Sequence, residues 1–187
     1  MIRLFTAISV PDETVQELSG VTMDIQGVHW VANNQYHITL TFIGDVNVWM
    51  YRQIKTQLGM IIPEAFSIRG QGLDVFHNSQ NQPHVLYAKV DVTEALQTLR
   101  DEIQDILFSM GVDCDTRAFV PHISLARLRP NADMNSVNTL IQNYQEKSLK
   151  EFSVDNFALF SSRLSQKGAI HTQVASYHTV SHYQDVL

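Results

Sequence analysis

One cysteine, Cys114, stands in 187 residues, so no internal disulfide and no multi-cysteine metal site can form, and a lone thiol of this kind is expected to be buried or inert. Positive charge is also scarce. Thirteen Lys and Arg against nineteen Asp and Glu give a formal net charge of −6, which argues against a surface that holds duplex nucleic acid through many phosphate contacts. A nucleic-acid partner would have to be recognised locally, and an enzyme acting on one terminal phosphate needs only a positive pocket. No run approaches the roughly 18 apolar residues needed to span a bilayer. The opening MIRLFTAISVP starts a strand-like run at once, with no basic stretch ahead of a long apolar segment. The expectation is a soluble cytoplasmic protein that does not engage a membrane. No linker, low-complexity tract or charge block divides the chain, so residues 1–187 are expected to form one domain. Nothing points to oligomerisation, and a monomer is expected.

What is present is ordinary for a packed core: 44% hydrophobic and 17% charged residues. Arg3 to Ser9 reads as a strand, and Pro11, Asp12 and Glu13 then open a helix with Val15, Leu18, Val21 and Ile25 on one face. His37 to Phe42 alternates as a strand that Gly44-Asp45 should end. A helix over Asn47 to Leu58 closes at Gly59 and Pro63. Phe66 to Asp74 and Val85 to Val90 read as strands around the polar loop HNSQNQPH. Thr93 caps a helix whose Leu96, Leu99, Ile103, Ile106 and Met110 recur at three- and four-residue spacing up to Gly111. His122 to Leu128 is a strand, Met134 to Tyr144 a helix, and Phe152 to Ser162 and Ile170 to Val180 two strands joined around Gly168. The fold class expected is α+β.

One internal echo outweighs any single element. Tyr36-His-Ile-Thr-Leu and Pro121-His-Ile-Ser-Leu are both His-Ile-hydroxyl-Leu on strands, with further strands and a long helix between them. Two similar lobes, each donating one such strand, would explain the pattern. Alternation places His37 with Thr39 on one face, and His122 with Ser124 likewise, while Ile38, Leu40, Ile123 and Leu125 anchor the other. Splitting a phosphodiester in line requires one group to deprotonate the attacking oxygen and another, across phosphorus, to protonate the leaving oxygen. Imidazole suits both tasks near neutral pH. Thr39 and Ser124 can donate to the non-bridging oxygens. One H-x-T or H-x-S is weak; two in matching strand contexts point to a shared site.

With both motifs in view, the chain resembles the two-histidine phosphoesterase superfamily, and specifically its RNA 2′,3′-cyclic phosphodiesterases, also known as the 2′-5′ RNA ligase family. The likeness runs through RLFTAISVP, WVANNQYHITLTFIGDV, VLYAKV, GVDCDTRAFVPHISLARLR and SSRLSQKGAIHTQV. It implies a bilobal fold of antiparallel sheets lining a central cleft with helices outside. It also implies no metal and no cofactor, hydrolysis of RNA 2′,3′-cyclic phosphate ends to 2′-phosphates, and a reverse 2′-5′ joining activity. His37 and His122 then match the catalytic histidines and Thr39 and Ser124 the phosphate-binding hydroxyls. Arg127 falls where the family often carries an arginine near the nucleotide. The second motif has serine where threonine is usual, and His29 precedes Trp30-Val31 where arginine is frequent.

Other residues are read more plainly. Strict alternation from His122 sets Arg127 on the opposite face unless a bulge or the strand's end turns it back. Phe119, ahead of its strand, is a candidate base-stacking residue. Phe42, sharing the face of Ile38 and Leu40, is expected to pack in the core. His77 and His84 are expected in a solvated loop rather than a metal site, and His171, His178 and His182 as surface residues. Arg163 and Lys167 belong to a solvated hairpin or the cleft rim. Two further readings stay open: a non-catalytic nucleotide-binding module of the same fold, and a phosphodiesterase for small cyclic phosphates or 2′-5′ oligoadenylates.

Overall fold

The hydrophobic alternation resolves into ten strands and four helices in a computed structural model that describes residues 1–62, 64–165 and 168–178. They run β1 (Ile2–Ser9), α1 (Asp12–Ser19), β2 (Val28–Trp30), a 3-10 turn (Asn33–Gln35), β3 (His37–Val46), α2 (Val48–Leu58), β4 (Phe66–Gln71), β5 (Leu73–His77) and β6 (Pro83–Lys89). After these come α3 (Glu94–Ser109), β7 (His122–Leu128), α4 (Met134–Tyr144), β8 (Ser148–Val154), β9 (Asn156–Ser165) and β10 (Gly168–His178). The α+β class holds.

Capping fixes the helices where the sequence marks them. Thr93 Oγ1 accepts from the Leu96 amide at 3.2 Å, and Asn47 Oδ1 accepts from the Met50 amide at 2.8 Å, each satisfying one orphan N–H of its helix. On α3, Leu96, Leu99, Ile103 and Leu107 are buried along one stripe. Helix α1 is shorter than the apolar pattern suggests. Ser19 Oγ donates back to the Val15 carbonyl at 2.6 Å and Thr22 Oγ1 to the Ser19 carbonyl at 2.8 Å, local bonds that compete with another helical turn. Val21 and Ile25 still reach the core, but from a turn and loop.

All strand pairing is antiparallel. One sheet has the order β10-β9-β1-β3-β7-β6-β5, with β2 beside β7, and β4 pairs separately with β8. The run Phe66 to Asp74 is therefore two strands in two sheets. Gly72, at φ +78°, turns the chain between them, and its amide donates to the Lys147 carbonyl at 3.0 Å. Phe152 to Ser162 likewise divides at Asp155 into β8 and β9, and β3 continues through Gly44 and Asp45 to Val46. Pro63 and Val180 lie outside the described residues.

The large sheet has two halves, β10-β9-β1-β3 and β7-β6-β5, joined at one backbone pairing, Ile38 with Ile123. Beyond it β3 and β7 diverge, and β2 takes over the free edge of β7 through Trp30–Ala126, His29–Arg127 and Val28–Leu128. Ile38 and Ile123 are both fully buried. Their side chains close the core under the seam, so the residues flanking each of them face the cleft above it.

Candidate active site

Both histidine strands begin in the same phase and break it at the same place. Opposite β1, Thr6 pairs with Thr41 and Ala7 with Thr39, which leaves Leu40 as the extra residue of a bulge. Opposite β6, Leu86 pairs with Ala126 and Tyr87 with Ser124, which leaves Leu125 in that role. A bulge shifts the alternation by one residue. His37, Thr39 and then Phe42 face the cleft, and so do His122, Ser124 and then Arg127. Strict alternation had set Arg127 on the other side.

The same shift corrects the reading of Phe42, which is 54% exposed and lines the cleft rather than the core. The cavity at this seam has a volume of about 600 Å³ and takes in His37, Thr39, His122, Ser124, Arg127 and Phe119. Every candidate site residue thus borders one cavity. Phe119 is half-buried, and the Arg100 guanidinium lies 4.9 Å from its ring centroid, covering one face.

Each imidazole is held alike. The ring nitrogen Nδ1 of His37 lies 2.7 Å from the Gln35 carbonyl, and Nδ1 of His122 lies 2.8 Å from the Val120 carbonyl. A carbonyl can only accept, so Nδ1 carries the proton in both rings and leaves Nε2 free for chemistry. Aromatic rings fix the planes. His37 lies 5.1 Å from Phe5, 6.2 Å from Phe160 and 5.2 Å from His171, centroid to centroid. His122 meets Phe76 edge-on at 4.7 Å and Tyr87 at 5.3 Å.

Burial sets the electrostatics. Loss of water pushes His37 down to about 4, with His171 and His122 adding repulsion and the Gln35 carbonyl opposing them. His122 is also lowered by burial, opposed by the Val120 carbonyl and reinforced by the Arg127 charge. At neutral pH the cleft therefore presents two uncharged imidazoles. Thr39 and Ser124 are half-buried beside them, and neither side chain is hydrogen-bonded to another described residue.

His171 is a second residue that sequence reasoning placed wrongly. Rather than lying on the surface, it is half-buried with its ring edge-on to both His37 and Phe5, and its backbone amide donates to Gln35 Oε1 at 2.9 Å. Gln35 thus ties β10 to the turn that orients His37. Nothing in Ala169–Gln173 marks this position; pairing of β10 on β9, and of β9 on β1, brings it there. His77 and His84 are exposed as expected, but both border the cleft. His178 and Arg163 are exposed, while Lys167 and His182 lie outside the described residues.

The comparisons agree with this architecture. The chain is 28% identical over 181 residues to the RNA 2′,3′-cyclic phosphodiesterase of Aquifex aeolicus, covering 95% of each chain. It is 30% identical over 178 residues to the protein of the same name from Archaeoglobus fulgidus, covering 91% of this chain and 96% of that one. Among solved structures, TT0787 of Thermus thermophilus matches with a TM-score of 0.77 at 23% identity, over 97% of this chain and all of that one. E. coli LigT complexed with NADP+ matches with a TM-score of 0.75 at 18% identity, over 96% and 99%; these two likenesses establish the fold. Residues 9–166 match the profile of the 2′-5′ RNA ligase superfamily, and the chain belongs to that family.

Proposed function

We propose that this chain is a phosphodiesterase that opens RNA 2′,3′-cyclic phosphate ends to 2′-phosphates by acid–base catalysis between His37 and His122, with no metal required. The observation that carries the reading is the pair of imidazoles, each tied through Nδ1 to a carbonyl two residues upstream and each on a strand that meets the other at Ile38–Ile123. The names of the bacterial and archaeal relatives supply the substrate class.

The reaction follows from what each group can do. A water oxygen bonds to phosphorus in line with the P–O3′ bond, and that bond breaks with its electron pair on O3′. Nε2 of His37 takes the water's proton; Nε2 of a protonated His122 gives its proton to O3′. The products are a 2′-phosphate and a 3′-hydroxyl, and the two rings exchange protons with solvent to reset. His37 suits the base role because burial lowers it to about 4, so that it stays neutral. An arriving phosphate anion favours the protonated ring and so supplies the acid.

Antiparallel register through Ile38–Ile123 sets Thr39 towards His122 and Ser124 towards His37. Hydroxyls in those places can donate to the two non-bridging oxygens, where charge gathers during the displacement. Phe42 and Phe119 offer apolar faces for the terminal base, worth ~1–3 kcal/mol per stacked base. With the 5′-hydroxyl of a second RNA in place of water, the same proton transfers join a 2′-5′ linkage.

Incubation of an end-labelled oligoribonucleotide bearing a 2′,3′-cyclic phosphate, in the presence of EDTA, tests the reading. The expected product is the 2′-phosphate alone. A 3′-phosphate, or an intact ring, would overturn it.

A further inference from the structure

The cleft carries more groups able to bind an anion than one cyclic phosphate uses. In a chain of net charge −6, its lining among the described residues includes Arg100, Arg117 and Arg127 together with four histidines, and a single carboxylate, Asp115. Asp115 is already engaged: it is ion-paired with Arg117, which holds its carboxyl at about 2. Two of the histidines are His37 and His122. The other two, His77 and His84, sit together at the loop end of the β5–β6 hairpin, beside Arg127.

That placement is built into the backbone. Phe76 pairs with Val85 and His77 with Pro83, so His84 is itself the extra residue of a further bulge. The bulge brings Nε2 of His84 to 3.4 Å from an Arg127 guanidinium nitrogen, a long contact that an anion could displace. On the other side of Arg127, β2 pairs it with His29. Arg127 therefore stands between two histidines, and its charge acts on both His122 and His171.

Distance supports a second phosphate there. Past the Leu125 bulge, Arg127 lies two paired residues beyond Ser124, roughly 7 Å of strand at about 3.3 Å per residue. That step is comparable to one nucleotide of an extended strand. We infer that Arg127, His84 and His77 form a subsite for the phosphodiester on the 5′ side of the terminal nucleotide, so that the chain selects the end of an oligonucleotide over a free cyclic mononucleotide. This rests on the phosphodiesterase reading above. It adds a second anion and the residues that receive it.

The test uses three substrates with the intact protein: a 2′,3′-cyclic mononucleotide, the dinucleotide ending in the same cyclic phosphate, and that dinucleotide with an uncharged methylphosphonate linkage. The charged dinucleotide is expected to be preferred about tenfold in kcat/KM over both others, the effect of one charge-assisted contact. In His77→Ala/His84→Ala the preference should collapse, with rates on the charged and uncharged dinucleotides converging. Equal kcat/KM for the charged and uncharged linkages in the native protein would overturn the subsite, and so would an undiminished preference in the double variant. If none of the three is hydrolysed, the phosphodiesterase reading fails instead. Dissociation constants for the same three compounds then decide the subsite by the same ranking.

Discussion

Leu40 and Leu125 occupy the same place in two strands from different halves of the sheet, each as the unpaired residue of a bulge three positions after a histidine. The two strands thus carry the same irregularity as well as the same motif. Where they differ is just past the bulge, with an aromatic ring at Phe42 on one side and a guanidinium at Arg127 on the other. In the proposed mechanism this gives the two-fold pair of imidazoles a handed substrate surface, able to face a base on one flank and an anion on the other.

Phe42→Ala should separate binding from stability. Truncating a core phenylalanine destabilises by about 3–5 kcal/mol, but Phe42 is 54% exposed and should lose far less. Urea denaturation is expected to give a loss below about 1.5 kcal/mol while KM for a cyclic-phosphate oligonucleotide rises about five- to tenfold. A loss of stability of core size would return Phe42 to a packing role.

The pH–rate profile carries the acid–base assignment. In the free protein His37 must be neutral and His122 protonated, with His37 lowered to about 4 and His122 lowered from its usual 6.5. kcat/KM should rise with pH through about 4 and fall again below 6.5, giving a bell centred on the acid side of neutrality. The profile of kcat should lie at higher pH, because bound phosphate favours protonation of both rings. A flat profile from about pH 4 to 8 would contradict the assignment.

Under the proposed mechanism, His171 acts on the chemistry through its contact with His37. His171→Phe keeps an apolar ring against Phe5 and removes the imidazole, so the burial of His37 is retained and the repulsion from its neighbour is lost. His37 then becomes easier to protonate, and the acid limb of kcat/KM should move up by ~0.5 pH unit or more. A limb that stays in place would reduce His171 to packing.

Stability should respond to the same burial. A histidine whose folded pKa lies below its unfolded value disfavours protonation of the folded state, so its contribution is complete above the unfolded pKa near 6.5 and is lost as pH falls towards about 4. The unfolding free energy is expected to fall across that window by about 3 kcal/mol, and His37→Leu should flatten this part of the curve. An identical pH dependence in the variant would mean that His37 is not the group titrating.

How legible all this was in the sequence depended on the range of the interactions involved. The helix capped by Thr93 and the strand His122–Leu128 were readable because capping and alternation are local and self-announcing. The pairing of His37 with His122 was readable because a repeated motif needs no contact map. Phe42 and His84 were not, since each is aimed by a bulge, and a bulge exists only in the register of one strand against another; for Arg127 the sequence left that bulge open as an alternative. His171 was invisible for the same reason at longer range, its neighbours being Phe5 and His37 through two intervening strand pairings. The split of Phe66–Asp74 at Gly72 belongs here too: the glycine was in view, but which sheet each half would join was not.

The central claim is that two imidazoles act together on one phosphorus, and a double-mutant cycle on kcat addresses it most directly. His37→Ala and His122→Ala should each lower kcat for a cyclic-phosphate oligoribonucleotide by about 10²–10⁴-fold. The double variant should lose little more than either alone, since removing one partner already disables the joint step. Near-native turnover in either single variant, or losses that multiply in the double, would contradict the account.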